Sequence, residues 1–203
     1  MIIKPDNEML SYSGRIDFDD RLAPVLVYAC SSIGMKFTGT SLKAVIANHR
    51  SCWTNELGYF IDGEQKRFTL SSDEEKKTYT LAEGLSEGTH ELLLFKRMDS
   101  CHTFTFYGFE IDDGAEVLPL PEKPKRKMEF FGDSVSCGEV SEAVAYVGKP
   151  DPEHDGEYSN SWYSYAWIAA RKLDAQLHDI AQGGVALLDN TGWYHEPDYI
   201  GME

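Results

Sequence analysis

Met128-Glu129-Phe130-Phe131-Gly132-Asp133-Ser134-Val135-Ser136-Cys137-Gly138 is a short apolar run that stops at glycine and delivers a Gly-Asp-Ser turn. The run predicts a strand from Lys127 to Phe131, which puts the turn at its carboxyl end, where open α/β sheets gather ligands and reactive groups. Downstream, Trp162, Tyr165, Ala166, Ala169 and Leu173 fall on one helical stripe and predict an amphipathic helix over 161–173. Ser159-Asn160-Ser161 offers it caps, and Arg171 with Lys172 suit its carbonyl end. Gln176 to Ala181 reads as a second strand, ended by Gly183-Gly184. Residues 135–160, with Gly138, Gly148, Pro150, Pro152 and Gly156, read as loop. Strand, loop, helix and strand in that order open an α/β domain with a parallel sheet.

Upstream the pattern differs. Short strands are predicted at Leu42 to Ala47, Leu57 to Ile61, Arg67 to Leu70, Lys77 to Leu81, Glu91 to Phe95 and His102 to Ile111. In the last of these, Phe104 and Phe106 alternate with Thr103 and Thr105, as expected for a sheet with one dry and one wet face. Asp62-Gly63 supplies the positive φ angles of a two-residue hairpin turn. Many short strands without a long helix imply an all-β sandwich or jelly roll. Pro119 to Lys127 holds three prolines and four basic residues, which favours an extended spacer. The boundary falls at about residue 122, with a β-sandwich over 1–122 and the α/β part over 123–203.

The chain has 203 residues, 34 acidic against 19 basic side chains, and a formal net charge of −15. That balance argues against nucleic acid and anionic membrane as partners. No apolar run approaches the roughly 20 residues of a membrane-spanning helix. The N-terminus lacks a basic segment followed by an apolar one, so a cytoplasmic location is expected, or an extracellular one if a leader has been removed. Cys30, Cys52, Cys101 and Cys137 form no CxxC pair and read as free, partly buried thiols. Neither HExxH nor a Walker-type glycine loop is present. Asp151 to Gly156 superficially suits a calcium loop, but Pro152 intrudes and position twelve is Trp162 instead of glutamate. Neither metal nor cofactor is expected.

Serine is a weak nucleophile until a base accepts its proton, so Ser134, exposed on a turn at a strand end, is one half of an acyl-transfer site. At these residues the chain resembles a family. Phe130-Phe131-Gly132-Asp133-Ser134 resembles the first signature block of the SGNH, or GDSL-type, hydrolases, with Val135 where the family usually has Ile or Leu. Phe131 to Gly138 behind a β-sandwich is similar to carbohydrate esterase family two, whose members pair an N-terminal jelly roll with an SGNH domain and remove acetyl groups from sugars.

That resemblance implies a jelly-roll sandwich followed by a flavodoxin-like α/β domain, with an acetylated oligo- or polysaccharide as substrate. It implies Ser134 as nucleophile, Asp133 as a brace for the turn, and an oxyanion hole built from the Ser134 amide and a glycine after the second strand. Gly184 is the first choice for that glycine and Gly183 the second; the bland alternative makes the pair a simple turn. The family's third block has no match, because Asp189-Asn190-Thr191-Gly192 follows the second strand too soon, and its Asp-x-x-His block is missing. The chain is therefore expected to hold the first part of the hydrolase domain, to lack the catalytic base, and to need a C-terminal half or a partner chain over its half sheet.

Among the six histidines, His154 and His195 are in the segments that would flank a cleft. Trp193 and Tyr194, in the loop after the glycine pair, are candidates to stack on sugar rings, whereas Trp162 on the helix stripe reads as core. The carboxylates Glu139, Glu142, Asp151, Glu153, Asp155 and Glu157 read as a solvated loop face. The competing functional reading is a non-catalytic carbohydrate-binding or interaction module with a vestigial hydrolase half domain.

Overall fold

A computed structural model describes residues 1–192, 200 and 201. Its strands are β1 (Ile2–Ile3), β2 (Ser11–Ser13), β3 (Ile16–Asp17), β4 (Val25–Leu26), β5 (Ser32–Thr38), β6 (Leu42–His49), β7 (Glu56–Ile61), β8 (Glu64–Thr69), β9 (Lys77–Ala82), β10 (Thr89–Lys96), β11 (Thr103–Ile111), β12 (Val117–Leu118), β13 (Arg126–Gly132) and β14 (Ala175–Ala181). The helices are α1 (Ser134–Cys137) and α2 (Tyr165–Lys172), with 3-10 turns at Val144–Tyr146 and Ser161–Tyr163.

The first twelve strands form two antiparallel sheets. One runs β3-β4-β11-β6-β9 with β1 added to β11; the other runs β12-β5-β10-β7-β8 with β2 added to β5. Alternation places Ile33, Met35 and Phe37 of β5 and Leu92 and Leu94 of β10 opposite Leu42, Ala44 and Ile46 of β6, all buried in one core. This is the jelly-roll-like sandwich that the short strands implied. The turn at Asp62-Gly63 joins β7 to β8, with Ile61 facing Glu64 and φ of 52° and 85° at its two residues.

β11 departs from simple alternation. A register shift between Phe106 and Gly108 inserts Tyr107 as a bulge, which returns Phe109 and Ile111 to the core side already occupied by Phe104 and Phe106. Thr105, expected on a wet face, is buried instead, and its hydroxyl meets Nε2 of His49 at 2.9 Å.

Beyond the sandwich, β13 and β14 pair in parallel from Arg126 opposite Ala175 to Gly132 opposite Ala181. The helix expected over 161–173 breaks at Ser164, whose extended backbone (φ −62°, ψ 148°) separates a 3-10 turn from α2. Ser164 caps α2, its hydroxyl accepting from the Trp167 amide at 3.1 Å. The break resets the register. The buried face is Ala166, Trp167 and Ala170, while Tyr165 and Leu173, both counted in the predicted stripe, are about half exposed. The segment expected to be loop from residue 135 begins as α1.

The two parts share a second core. Phe95 at the end of β10 is fully buried against Trp167 at 5.3 Å and Phe60 at 5.9 Å, and Ala29, Cys30, Cys137, Leu177 and Ala181 complete the cluster. Trp162 belongs to this layer, packed on Phe60 at 4.5 Å and covered by the Arg171 guanidinium at 3.7 Å. The proline-rich segment lies on the sandwich instead of spanning open solvent, with Lys123 Nζ donating to the Tyr12 carbonyl. All four cysteines are free thiols, Cys30 and Cys137 buried and Cys52 exposed. Among the described residues no helix is long and apolar enough to cross a membrane.

Candidate active site

Ser134 is the first residue of α1, delivered by β13. Asp133 is the N-cap, with its carboxylate Oδ1 accepting from the Val135 amide at 3.0 Å, and Gly138 closes the short helix in the left-handed region. This cap fixes the turn that carries Ser134. Ser134 is partly buried on the wall of a cleft of about 860 Å³, whose lining includes Gly184, Glu139, His154, Tyr163 and Trp53. Neither the Ser134 nor the Gly184 main-chain amide has a hydrogen-bond partner among the described residues. Two unpaired amides and a hydroxyl in one cleft are what an oxyanion hole with its nucleophile requires.

The glycine pair divides into two roles. Gly183 donates its amide to Oδ2 of Asp99 at 2.7 Å in a buried bond, so that amide is committed and unavailable to a substrate oxygen. Gly183 thus drops out as an oxyanion donor, and Gly184, at φ +76°, remains. The absence of a side chain at 183 serves the close approach of Asp99: a Cβ there would lie 2.9 Å from Asp99 Oδ2 and 3.3 Å from Glu139 Oε2.

Glu139 is not part of a solvated face. It is partly buried, and desolvation, with the negative charge of Asp99 adding to it, pushes its carboxyl up to about 7, while hydrogen bonding from Ser134 pulls the other way. Its charge therefore switches near neutrality beside Ser134. Glu142, placed on the same face by sequence, instead accepts from Arg97 Nη2 and Asn160 Nδ2, each at 2.7 Å.

His154 faces the cleft, its ring 4.7 Å from that of Trp53. Its Nδ1 accepts the Gly156 amide at 3.1 Å, so the neutral ring carries its proton on Nε2. His102, in the sandwich, is fully buried, and desolvation pulls it down to about 4. Trp193, Tyr194 and His195 lie outside the described residues. Among the described residues no group of three or more His, Cys, Asp and Glu side chains could hold a metal ion.

Trp53, from one sandwich loop, lines the cleft, and Asp99, from another, holds the Gly183 amide beside it; no local pattern marks either one. Glu139, five residues after the nucleophile, carries a signal in its nearness to Ser134, but its burial depends on Asp99 and the 183–184 turn.

Comparison with known proteins agrees with this architecture. The family profile described as carbohydrate esterase 2 N-terminal matches residues 12–121. The cellulase/esterase CelE of Acetivibrio thermocellus is 33% identical over 188 residues, 92% of this chain and 22% of that protein. An acetylxylan esterase / glucomannan deacetylase of Cellvibrio japonicus is 27% identical over 165 residues, 78% of this chain and 44% of the relative. Among solved structures, a family two carbohydrate esterase from Clostridium thermocellum, in complex with cellohexaose, superposes with a TM-score of 0.81 at 30% identity, covering 95% of this chain and 56% of that one. A salicylyl-acyltransferase, SsfX3, shares the fold at 12% identity with a TM-score of 0.60. The chain thus spans about half of the solved esterase and less than half of the two curated relatives. With the profile covering more than half of its length over the sandwich, and the strand-turn-helix of Ser134 packed directly behind, this chain belongs to carbohydrate esterase family two.

Proposed function

We propose that the protein is a serine esterase that removes acetyl groups from carbohydrate. The observation that carries this reading is that Ser134 and Gly184, whose main-chain amides have no partner among the described residues, line one cleft. Ser134 Oγ attacks the ester carbonyl as a base takes its proton. The two amides hold the resulting oxyanion, the sugar hydroxyl leaves with the proton from the base, and water releases acetate from the acyl-serine. Asp133 holds the turn and relays no charge. Trp53 and Tyr163 give the cleft apolar ring faces on which a sugar's C–H face stacks.

The catalytic histidine is the part the described residues do not supply in competent form. His154 has its acceptor nitrogen engaged, which leaves His195 or a histidine of the family's Asp-x-x-His segment. For the described residues taken alone, that same observation favours the second reading, a carbohydrate-binding module without turnover.

Hydrolysis of 4-nitrophenyl acetate and of acetylated xylan by the natural protein carrying this segment tests the proposal. Ser134→Ala should lower kcat/KM by about 10⁴-fold or more. Equal turnover by wild type and Ser134→Ala would reject the esterase reading, and saturable xylan binding without acetate release would support the binding module.

A further inference from the structure

We propose that Asp99, a residue of the sandwich, is a positioning residue for the oxyanion amide of Gly184, so that the sandwich is a working part of the hydrolase site. This inference rests on the esterase reading above. Asp99 lies three residues past the end of β10 and 84 residues before Gly183, and its Oδ2 accepts the Gly183 amide at 2.7 Å in the protein interior.

Asp99 is itself held. Its other oxygen, Oδ1, accepts the Cys101 amide at 3.1 Å, and its main-chain carbonyl accepts from the ammonium of fully buried Lys96, which also donates to the Met98 carbonyl at 2.6 Å. An acceptor fixed at both ends in this way makes a charge-assisted bond of short length and defined direction. A second tether runs beside it, from Ser100 Oγ to Oε1 of Gln182 at 2.8 Å. The Gln182 amide in turn donates at 3.2 Å to the carbonyl of Gly132, two residues before the nucleophile.

The consequence is geometric. The turn 182–185 is closed by the Val185 amide on the Gln182 carbonyl at 3.3 Å, and Gly184 within it adopts φ +76°. With the Gly183 amide drawn back to the sandwich, the turn has little freedom left. The next amide, that of Gly184, has no acceptor among the described residues, and Gly184 lines the cleft that holds Ser134. An oxyanion donor acts only within a few tenths of an ångström of its ideal place, and a misplacement of about 1 Å costs on the order of 10²-fold. The lack of a Cβ at 183 belongs to the same device, since that is the space Asp99 Oδ2 and Glu139 Oε2 approach.

The test uses the 203-residue protein and two readouts that need no turnover; in the second, the serine proton goes to the bulk buffer. Amide hydrogen exchange and proton chemical shift by NMR report the Gly183 bond. Affinity for benzeneboronic acid, which forms a tetrahedral adduct on a serine with an oxygen in the oxyanion hole, reports the Gly184 amide. In Asp99→Ala, Gly183 exchange should quicken at least tenfold, the Gly184 resonance should move, and boronic acid affinity should fall about tenfold or more. Asp99→Asn, which keeps the shape and one acceptor, should fold and fall between the two on both readouts. A folded Asp99→Asn or Asp99→Ala protein with wild-type Gly183 protection and wild-type boronic acid affinity overturns the proposal. Wild-type protein that binds no boronic acid at Ser134 sinks the esterase reading, and the Gly183 exchange then judges the brace alone.

Discussion

At Gly183 and Asp179 single atoms decide what the chain tolerates. Adding a methyl group at Gly183 drives it to 2.9 Å from Asp99 Oδ2, a buried and fixed atom, so Gly183→Ala should cost about 1–3 kcal/mol of stability, read from urea midpoints. Gly184→Ala forces an alanine to φ +76° and should cost about 1 kcal/mol. Asp179 on β14 is almost fully buried. One of its oxygens, Oδ1, has no partner among the described residues, and the other accepts from the Cys30 thiol at 3.4 Å. Desolvation pushes its carboxyl from the ordinary 3.8 up to about 7, against a smaller lowering by Cys30. Between those values the folded protein keeps a proton that the unfolded chain has released. Its contribution to stability is therefore full below about pH 4 and lost as pH rises through 7. Asp179→Asn removes that loss. Urea denaturation across pH 4 to 8 should show a flatter curve than wild type and a gain of about 1–3 kcal/mol at pH 8. An unchanged slope would mean that water reaches the carboxylate.

The element on which the site depends most directly is α2, which crosses from β13 to β14 and covers one face of their sheet with Ala166, Trp167 and Ala170. Its first residue, Tyr165, shares a hydroxyl–hydroxyl hydrogen bond of 2.7 Å with Ser136 of α1. Its start is set by Ser164, whose hydroxyl meets the Trp167 amide in the interior, where water offers no replacement. Ser164→Ala should destabilise by about 1–2 kcal/mol in thermal unfolding, while Ser164→Asp, which also caps, should lose part of that gain to burial of a charge. A loss under a few tenths of a kcal/mol would show that the 3-10 turn before it sets the helix start instead.

At the scale of the whole molecule, the sandwich and the α/β part are joined by more than a covalent link. Phe95 fills the shared core, and Arg97, nearly fully buried, pairs with Glu142 at 2.7 Å across the junction. Ser161 donates its amide to the Arg97 carbonyl at 3.0 Å and its hydroxyl to the Lys96 carbonyl at 2.7 Å. The two parts should therefore unfold in one transition, with near- and far-ultraviolet dichroism falling together in urea. Phe95→Ala should cost about 3–5 kcal/mol and lower that single midpoint. Separate transitions for the two parts would contradict the shared core. Ser134, on this architecture, is delivered by one part and its surroundings by both.

Read along the chain, local pattern was enough for the six sandwich strands β6 to β11, the Asp62-Gly63 hairpin, the strand that delivers Ser134 and the second strand, because each depends on alternation, turn chemistry or spacing within about ten residues, but it left β5, at the centre of the core, unmarked. It misplaced the helix face, since a single backbone break at Ser164 shifts every later side chain by a rotation that periodicity absorbs into one longer stripe. Which of two adjacent glycines offers its amide, why Glu139 is held near neutrality, and how Trp53 enters the cleft were decided only in three dimensions. The reason is the same for all three: a hydrogen bond or a desolvated charge depends on what the folded chain brings alongside, and here the neighbour is a sandwich turn some 40 to 100 residues distant, invisible to any window of sequence.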